Sequence, residues 1–113
     1  MDPLWLDRER VDREITSIDF AALTFDNDLG VYCLQGDPFT GACAQRYSDG
    51  KLQSIIHHAV GLAHGITVVW FTNGKIHLYS EMVSDTPHGL HIEWDKDGNK
   101  VLEEHYRRGQ LVV

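Results

Sequence analysis

Short runs of β-branched and aromatic residues recur along the chain, cut at regular intervals by a polar residue and a glycine. Residues 66–71 (Ile-Thr-Val-Val-Trp-Phe) and 75–83 (Lys-Ile-His-Leu-Tyr-Ser-Glu-Met-Val) lie on either side of Asn73-Gly74. Such side chains suit a pleated, half-buried surface. Asn-Gly or Asp-Gly between two such runs is the strongest short-range hairpin signal, because a tight primed turn needs positive φ at both central residues. Glycine has no Cβ to clash there, and Asn or Asp tolerates the left-handed region better than other residues. The pattern predicts a β-hairpin centred on Asn73-Gly74.

The same unit occurs three times. Residues 41–50 (Gly-Ala-Cys-Ala-Gln-Arg-Tyr-Ser-Asp-Gly) align with 65–74 (Gly-Ile-Thr-Val-Val-Trp-Phe-Thr-Asn-Gly) and 89–98 (Gly-Leu-His-Ile-Glu-Trp-Asp-Lys-Asp-Gly). The first glycines lie 24 residues apart, at 41, 65 and 89, and so do the second, at 50, 74 and 98. Thr40, His64 and His88 precede the first glycine, which reads them as turn residues of the repeat. A fixed period in this range marks a repeat architecture. Longer turns at 60–65 and 84–89 are expected to lead from one hairpin to the next. The expectation is an all-β protein: a meander of repeated hairpins forming one twisted or rolled antiparallel sheet, with an N-terminal cap.

Upstream, the organisation is read as an N-terminal arm over 1–17, a capping hairpin over 18–40, and the three repeats over 41–113. Residues 18–25 are expected as one strand, Asp26-Asn27-Asp28 as its turn and 31–34 as the return, covering an edge as terminal repeats must. Asp26, Asn27, Asp28 and Gly30 lack the spaced ligands and terminal Glu of a calcium loop, which leaves a plain turn. Residues 8–15 suit one or two helical turns, or a frayed arm given their charge density. At the other end, 111–113 would form an apolar edge strand.

Composition narrows the function classes. A chain of 113 residues forms a single domain that buries only about two-thirds of its unfolded surface. Its net charge of −7 argues against nucleic-acid or anionic-membrane partners and favours a basic partner or solubility alone. The charged start of the chain is unlike a secretory signal, and no apolar window is long enough to span a bilayer, so a cytoplasmic location is expected. Cys33 and Cys43 are the only cysteines. They fall on strands that could be neighbours, and a cytosolic setting makes two buried thiols the default, with bridging left open.

A two-residue turn at each Asp/Asn-Gly pair would match Arg46 with Gln53, Trp70 with His77, and Trp94 with Val101. One sheet face then carries Ile55, His57, Ile66, Val68, Trp70, His77, Tyr79, Glu81, Leu90, Ile92, Trp94, Glu103 and His105. The opposite face takes Cys43, Tyr47, Leu52, Ile56, Val69, Phe71, Ile76, Leu78, His91, Glu93 and Leu102. Both faces are apolar in the middle hairpin, so the sheet must be rolled, or covered on one side by the N-terminal segment or a partner. The first face offers a candidate binding surface of Trp70, Trp94, Tyr79, Glu81, Glu103, His57 and His77, aromatic with polar groups set into it. The competing reading makes Trp70 and Trp94 core residues that stack between repeats. No metal site and no cofactor are expected: His57, Glu81 and His105 share one repeat column, but that column spans roughly 19 Å. No nucleophile, phosphate-loop or zinc motif is present, so catalysis is the lesser reading. If the chain were an enzyme, Glu81, Glu103, Tyr79 and His105 would be its acid/base groups in an aromatic pocket.

The stretch 65–76, Gly-x-x-x-x-Trp-Phe-x-Asn-Gly-Lys-Ile, resembles the MORN-type repeat in its bacterial variant form. Residues 36–41, Gly-Asp-Pro-Phe-Thr-Gly, are similar to the opening of YwqK-type antitoxin components. The resemblance covers roughly residues 24–113. Two positions depart from it: Arg46 stands where the next two units have Trp, and Asp95 where the first two have Tyr47 and Phe71. The resemblance implies an antitoxin or immunity-like role, in which the protein neutralises or scaffolds a protein partner, with a basic toxin as the fitting counterpart. The alternative is a small-molecule enzyme within a biosynthetic pathway, using the same face.

Overall fold

The computed structural model describes residues 1–112. Among these, eleven strands run in chain order: β1 Ile18–Asp19, β2 Thr24–Asp26, β3 Val31–Leu34, β4 Asp37–Pro38, β5 Gly41–Arg46, β6 Leu52–Ala59, β7 Leu62–Trp70, β8 Ile76–Val83, β9 Thr86–Trp94, β10 Lys100–Arg107 and β11 Gln110–Val112. Strands β5 to β11 pair consecutively and antiparallel, and β1 lies parallel to β5 at the edge, giving an eight-stranded sheet. Strands β2, β3 and β4 form a separate three-stranded sheet. The mostly β meander expected from the repeat is present. Of the expected terminal edge strand, Val113 lies outside the described residues.

The turns are not the ones expected. At the Asp/Asn-Gly sites only the glycine has positive φ, at 86°, 88° and 92° for Gly50, Gly74 and Gly98. The Phe71 amide donates to the Lys75 carbonyl (2.8 Å) and the Gly74 amide to the Phe71 carbonyl (2.9 Å), and the other two hairpins repeat both bonds. This is a type I turn followed by a left-handed glycine, one residue longer than a primed turn. The Asp and Asn residues are there for another reason: Asp49 Oδ1 and Asn73 Oδ1 accept the amides of Lys51 and Lys75 at 2.9 Å. In the third hairpin Asp95 Oδ1 takes that role, accepting from Asp97 and Asn99 at 3.0 Å. That explains an acid where the other units carry an aromatic residue.

The extra residue shifts the register next to each turn. Arg46 pairs with Leu52, Trp70 with Ile76, and Trp94 with Lys100. A one-residue slip turns a side chain to the other face. Leu52 and Ile76, expected opposite Trp70, therefore join it in the core. His77 instead stacks on Phe71 at 4.1 Å between ring centroids.

The primed turns occur at the other ends of the strands, where longer connections were expected. Val60-Gly61, Ser84-Asp85 and Arg108-Gly109 all have positive φ at both positions. Their flanking pairs are Ala59 with Leu62, Val83 with Thr86, and Arg107 with Gln110. Gly65 and Gly89 consequently lie inside β7 and β9, at positive φ beside breaks in the pairing register. The residue before each first glycine holds the next primed turn: Thr40 Oγ1 accepts from Val60 N (2.9 Å), His64 Nδ1 from Ser84 N (3.4 Å) and His88 Nδ1 from Arg108 N (3.1 Å). We expect His88→Ala to cost about 1 kcal/mol, the usual net worth of one hydrogen bond. His88→Thr, which supplies the acceptor used at position 40, should recover at least half of that loss. Urea midpoints at constant m-value provide the measurement.

Two segments cover the sheet. The start of the chain forms a 3₁₀ turn, Pro3–Leu6, and a helix α1, Arg8–Glu14, capped by the carboxylates of Asp2 and Asp7. Trp5 and Val11 from this segment complete one core, with Ala42, Ala44, Leu52, Ile55, Val68, Trp70, Ile76, Tyr79 and Ile92. On the other face, Leu23 and Phe39 meet Cys43 in a second core flanked by Phe20, Tyr32 and Ile56. The strand expected over 18–25 is broken: its first two residues join β5, a 3₁₀ turn at Phe20–Ala22 redirects the chain, and only β2 pairs with β3. Residues 18–40 thus add a strand at an edge and also lie over a sheet face.

Candidate functional site

One cross-strand row, Ala44–Ile55–Val68–Tyr79–Ile92–Glu103, defines the face that carries the aromatic candidates. Its first five members are buried and Glu103 is exposed. Trp70, 0% exposed, donates its indole Nε1–H to the Trp5 carbonyl at 3.1 Å. Arg8, only 4% exposed, extends its guanidinium to the Phe71 carbonyl at 3.3 Å. The N-terminal segment is therefore the cover of this face, and Trp70 and Tyr79 lie in the interior.

The remaining candidates divide around that core. Tyr79 donates its hydroxyl to Glu81 Oε2 at 2.7 Å, while Glu81 Oε1 accepts the Leu90 amide at 2.7 Å. Burial, then the Glu81 carboxylate, pushes the Tyr79 phenol well above its ordinary value. His57 donates from Nδ1 to the Ile66 carbonyl at 2.7 Å, and its ring meets Trp5 edge-on at 5.8 Å. Trp94 is half-buried and Glu103 and His105 are exposed. Lys100 binds Glu103 at 2.8 Å and holds its carboxyl below the usual range. Only Tyr79 and Glu81, of the four acid/base candidates, hydrogen-bond to each other, and both oxygens of Glu81 are engaged. Among the described residues no group of three or more His, Cys, Asp or Glu side chains is arranged to hold a metal ion.

Both cysteines are free thiols and buried. Burial pushes the Cys43 thiol up to about 11. Its Sγ lies 3.9 Å from His58 Nδ1, and burial lowers the His58 pKa. This pair belongs to the second core. The hollows are open and shallow. One, of about 370 Å³, lies between Val83, Thr86, His88 and Arg108 at the primed-turn end of the sheet. None of the described helices is long and apolar enough to cross a membrane.

The opposite face is different over β7–β10. The second core reaches Ile56 on β6. Beyond it run two rows, Thr67–Ser80–His91–Glu104 and Val69–Leu78–Glu93–Leu102, in which every residue except Ser80 is part-exposed. His91 Nε2 donates to Glu93 Oε2 at 2.9 Å, and the Tyr106 hydroxyl to Glu104 Oε2 at 3.0 Å. The His91 and Tyr106 rings meet edge-on at 6.2 Å. Comparison with protein-family models, with curated proteins and with solved structures finds no match to this chain. The candidate surface therefore rests on geometry: an apolar strip bordered by two carboxylates and two aromatic rings. His91, Glu93 and Leu102 fall on this side of the sheet in the sequence pattern as well, but the stronger aromatic signal, Trp70 and Trp94, lies on the other side.

Proposed function

We propose that the chain is a protein-binding repeat module, antitoxin or immunity-like, that neutralises or scaffolds a basic protein partner. The observation that carries this reading is a wide sheet covered on one side over β5–β9, with its own N-terminal segment in that core, and part-exposed on the other over β7–β10. A flat surface mixing apolar strips with aromatic and charged groups suits a protein partner better than a small molecule, which calls for concave enclosure. The likeness of residues 65–76 to the bacterial MORN-type repeat, and of 36–41 to YwqK-type antitoxin components, supports the same role. A net charge of −7 suits a basic toxin, whose encounter it would accelerate, and a cytoplasmic setting without nucleic-acid or membrane contacts.

The test is affinity capture from the native cell with tagged wild-type protein, followed by co-expression of the recovered partner. We expect one stoichiometric basic partner whose expression arrests growth when alone and is tolerated when this chain is co-expressed. A captured metabolite with no protein, seen by native mass spectrometry, would replace this reading with the small-molecule one.

A further inference from the structure

The part-exposed face of β7–β10 has a charge pattern that the covered face lacks. Its two central rows hold Glu93 and Glu104 and neither lysine nor arginine. Glu93 pairs with Leu102, so Glu104 is its diagonal neighbour on β10. Diagonal positions lie roughly 7–8 Å apart, a span that one long cationic side chain can bridge. Each carboxylate is held through Oε2, by His91 and by Tyr106. Among the described residues Oε1 of each has no hydrogen-bond partner. The two acids are thus oriented by His91 and Tyr106, with one oxygen of each left open and no lysine or arginine in their rows. Leu78 and Leu102 lie beside them as a half-buried apolar floor.

We propose that this face takes a cationic segment of a partner protein, with an arginine or lysine head group between Glu93 and Glu104 and its aliphatic stem on Leu78 and Leu102. The inference rests on the reading of the chain as a protein-binding module and adds the docking face and the partner's chemistry. A guanidinium or ammonium there satisfies the open oxygens of both acids, with Arg favoured by its planar fork. Long basic side chains cover apolar surface with their stems while their charge stays at a polar rim. Size favours a segment over a domain. Four strands span about 14 Å and five residues about 17 Å, well short of the roughly 800 Å² each partner contributes to a standard interface.

The experiment is titration of ¹⁵N-labelled full chain, at about 0.15 M ionic strength, with a short synthetic peptide in which arginine and leucine alternate. A counterpart with glutamate at every arginine position serves as control. We expect saturable shifts at the amides of Leu78, Ser80, His91, Glu93, Leu102 and Glu104 with the arginine peptide only. The Glu93→Gln, Glu104→Gln double variant keeps the side-chain shapes and the acceptor for Tyr106, and should bind about tenfold more weakly or worse. Glu103→Gln, on the covered side of the sheet, should bind as wild type. No saturable shift, shifts centred on Ile66, Leu90 and Trp94, or unchanged affinity of the double variant would overturn the proposal. If the native partner is captured equally well by the double variant, this docking face fails while the module reading stands. Absence of any protein partner for the wild type removes both.

Discussion

Trp70→Ala should lower the unfolding free energy by about 3–5 kcal/mol, the range for emptying a fully buried aromatic site. Trp70 is the largest of the fully buried side chains and belongs to the main core. Its indole also holds the Trp5 carbonyl, so the substitution removes both a packing partner and an anchor of the N-terminal cover. Against a typical domain stability of roughly 5–15 kcal/mol, that loss is a large fraction. Trp94→Ala, at a half-buried position at the margin of the same cluster, should cost less than half as much. Urea denaturation of the two variants gives the comparison, and the fluorescence of the remaining tryptophans reports whether Trp5 becomes exposed. A loss for Trp70→Ala no greater than for Trp94→Ala would mean that the N-terminal segment does not close this face in solution. Its consequence for function is direct: binding defects in a Trp70 variant would reflect unfolding before they reflect a lost contact.

The period of 24 residues, the hairpins and the meander were legible because local chemistry and global fold agree there. Turn type was not, since an Asp-Gly or Asn-Gly pair fits either a primed turn or a type I turn closed by a left-handed glycine. What separates them is the φ of the residue before the glycine, which the dipeptide does not specify. The cost of that ambiguity is one residue of register, and it moved Leu52 and Ile76 from one face to the other. The primed turn at Ser84-Asp85 contains no glycine and carried little turn signal. Its Asp85 carboxylate is anchored across the connection, accepting the Ala63 amide at 2.6 Å, a contact from a distant part of the chain.

The covered face was half legible. Apolar residues on both sides of the middle hairpin required a cover, and the N-terminal segment was one of the choices. Its composition concealed the role: the charge density of residues 1–13 suits a solvated arm, yet Trp5, Arg8 and Val11 are buried within it. The signal available was the capping pattern. Asp2 accepts the Leu4 amide at 2.9 Å and Asp7 the Arg10 amide at 3.1 Å, each the mark of a helix start in a segment otherwise rich in charge. A buried arginine beside a turn carbonyl has no such signature in sequence. The part-exposed face was least legible, because Glu93, Glu104 and Tyr106 become neighbours only once the cross-strand register is known.

Gly61→Ala should be the most damaging single-methyl change in the chain, at about 3–5 kcal/mol, while Gly50→Ala should cost about 1 kcal/mol. Both glycines have left-handed φ, 80° and 86°, so the backbone strain added by a Cβ is alike. Their surroundings differ. A Cβ at Gly50 would meet no atom within 4 Å, whereas one at Gly61 would lie 2.5 Å from the Tyr32 carbonyl oxygen and 2.6 Å from Val31 Cβ. Those neighbours belong to β3, whose backbone cannot swing aside as a flexible side chain can. The same glycine accepts the Tyr32 amide at 3.0 Å and donates to the Phe39 carbonyl at 2.7 Å, joining the small sheet to the first primed turn of the main one. Moving β3 away to admit a methyl group would break these bonds and loosen Phe39 and Leu23 over Cys43. Gly74→Ala should fall between the two, since its Cβ would meet only the Arg8 guanidinium, at 3.1 Å. The order Gly61, Gly74, Gly50 is read from urea midpoints. A Gly61 variant no less stable than the Gly50 variant would mean that the small sheet does not rest on the primed turn, and that the second core is held by its side chains alone.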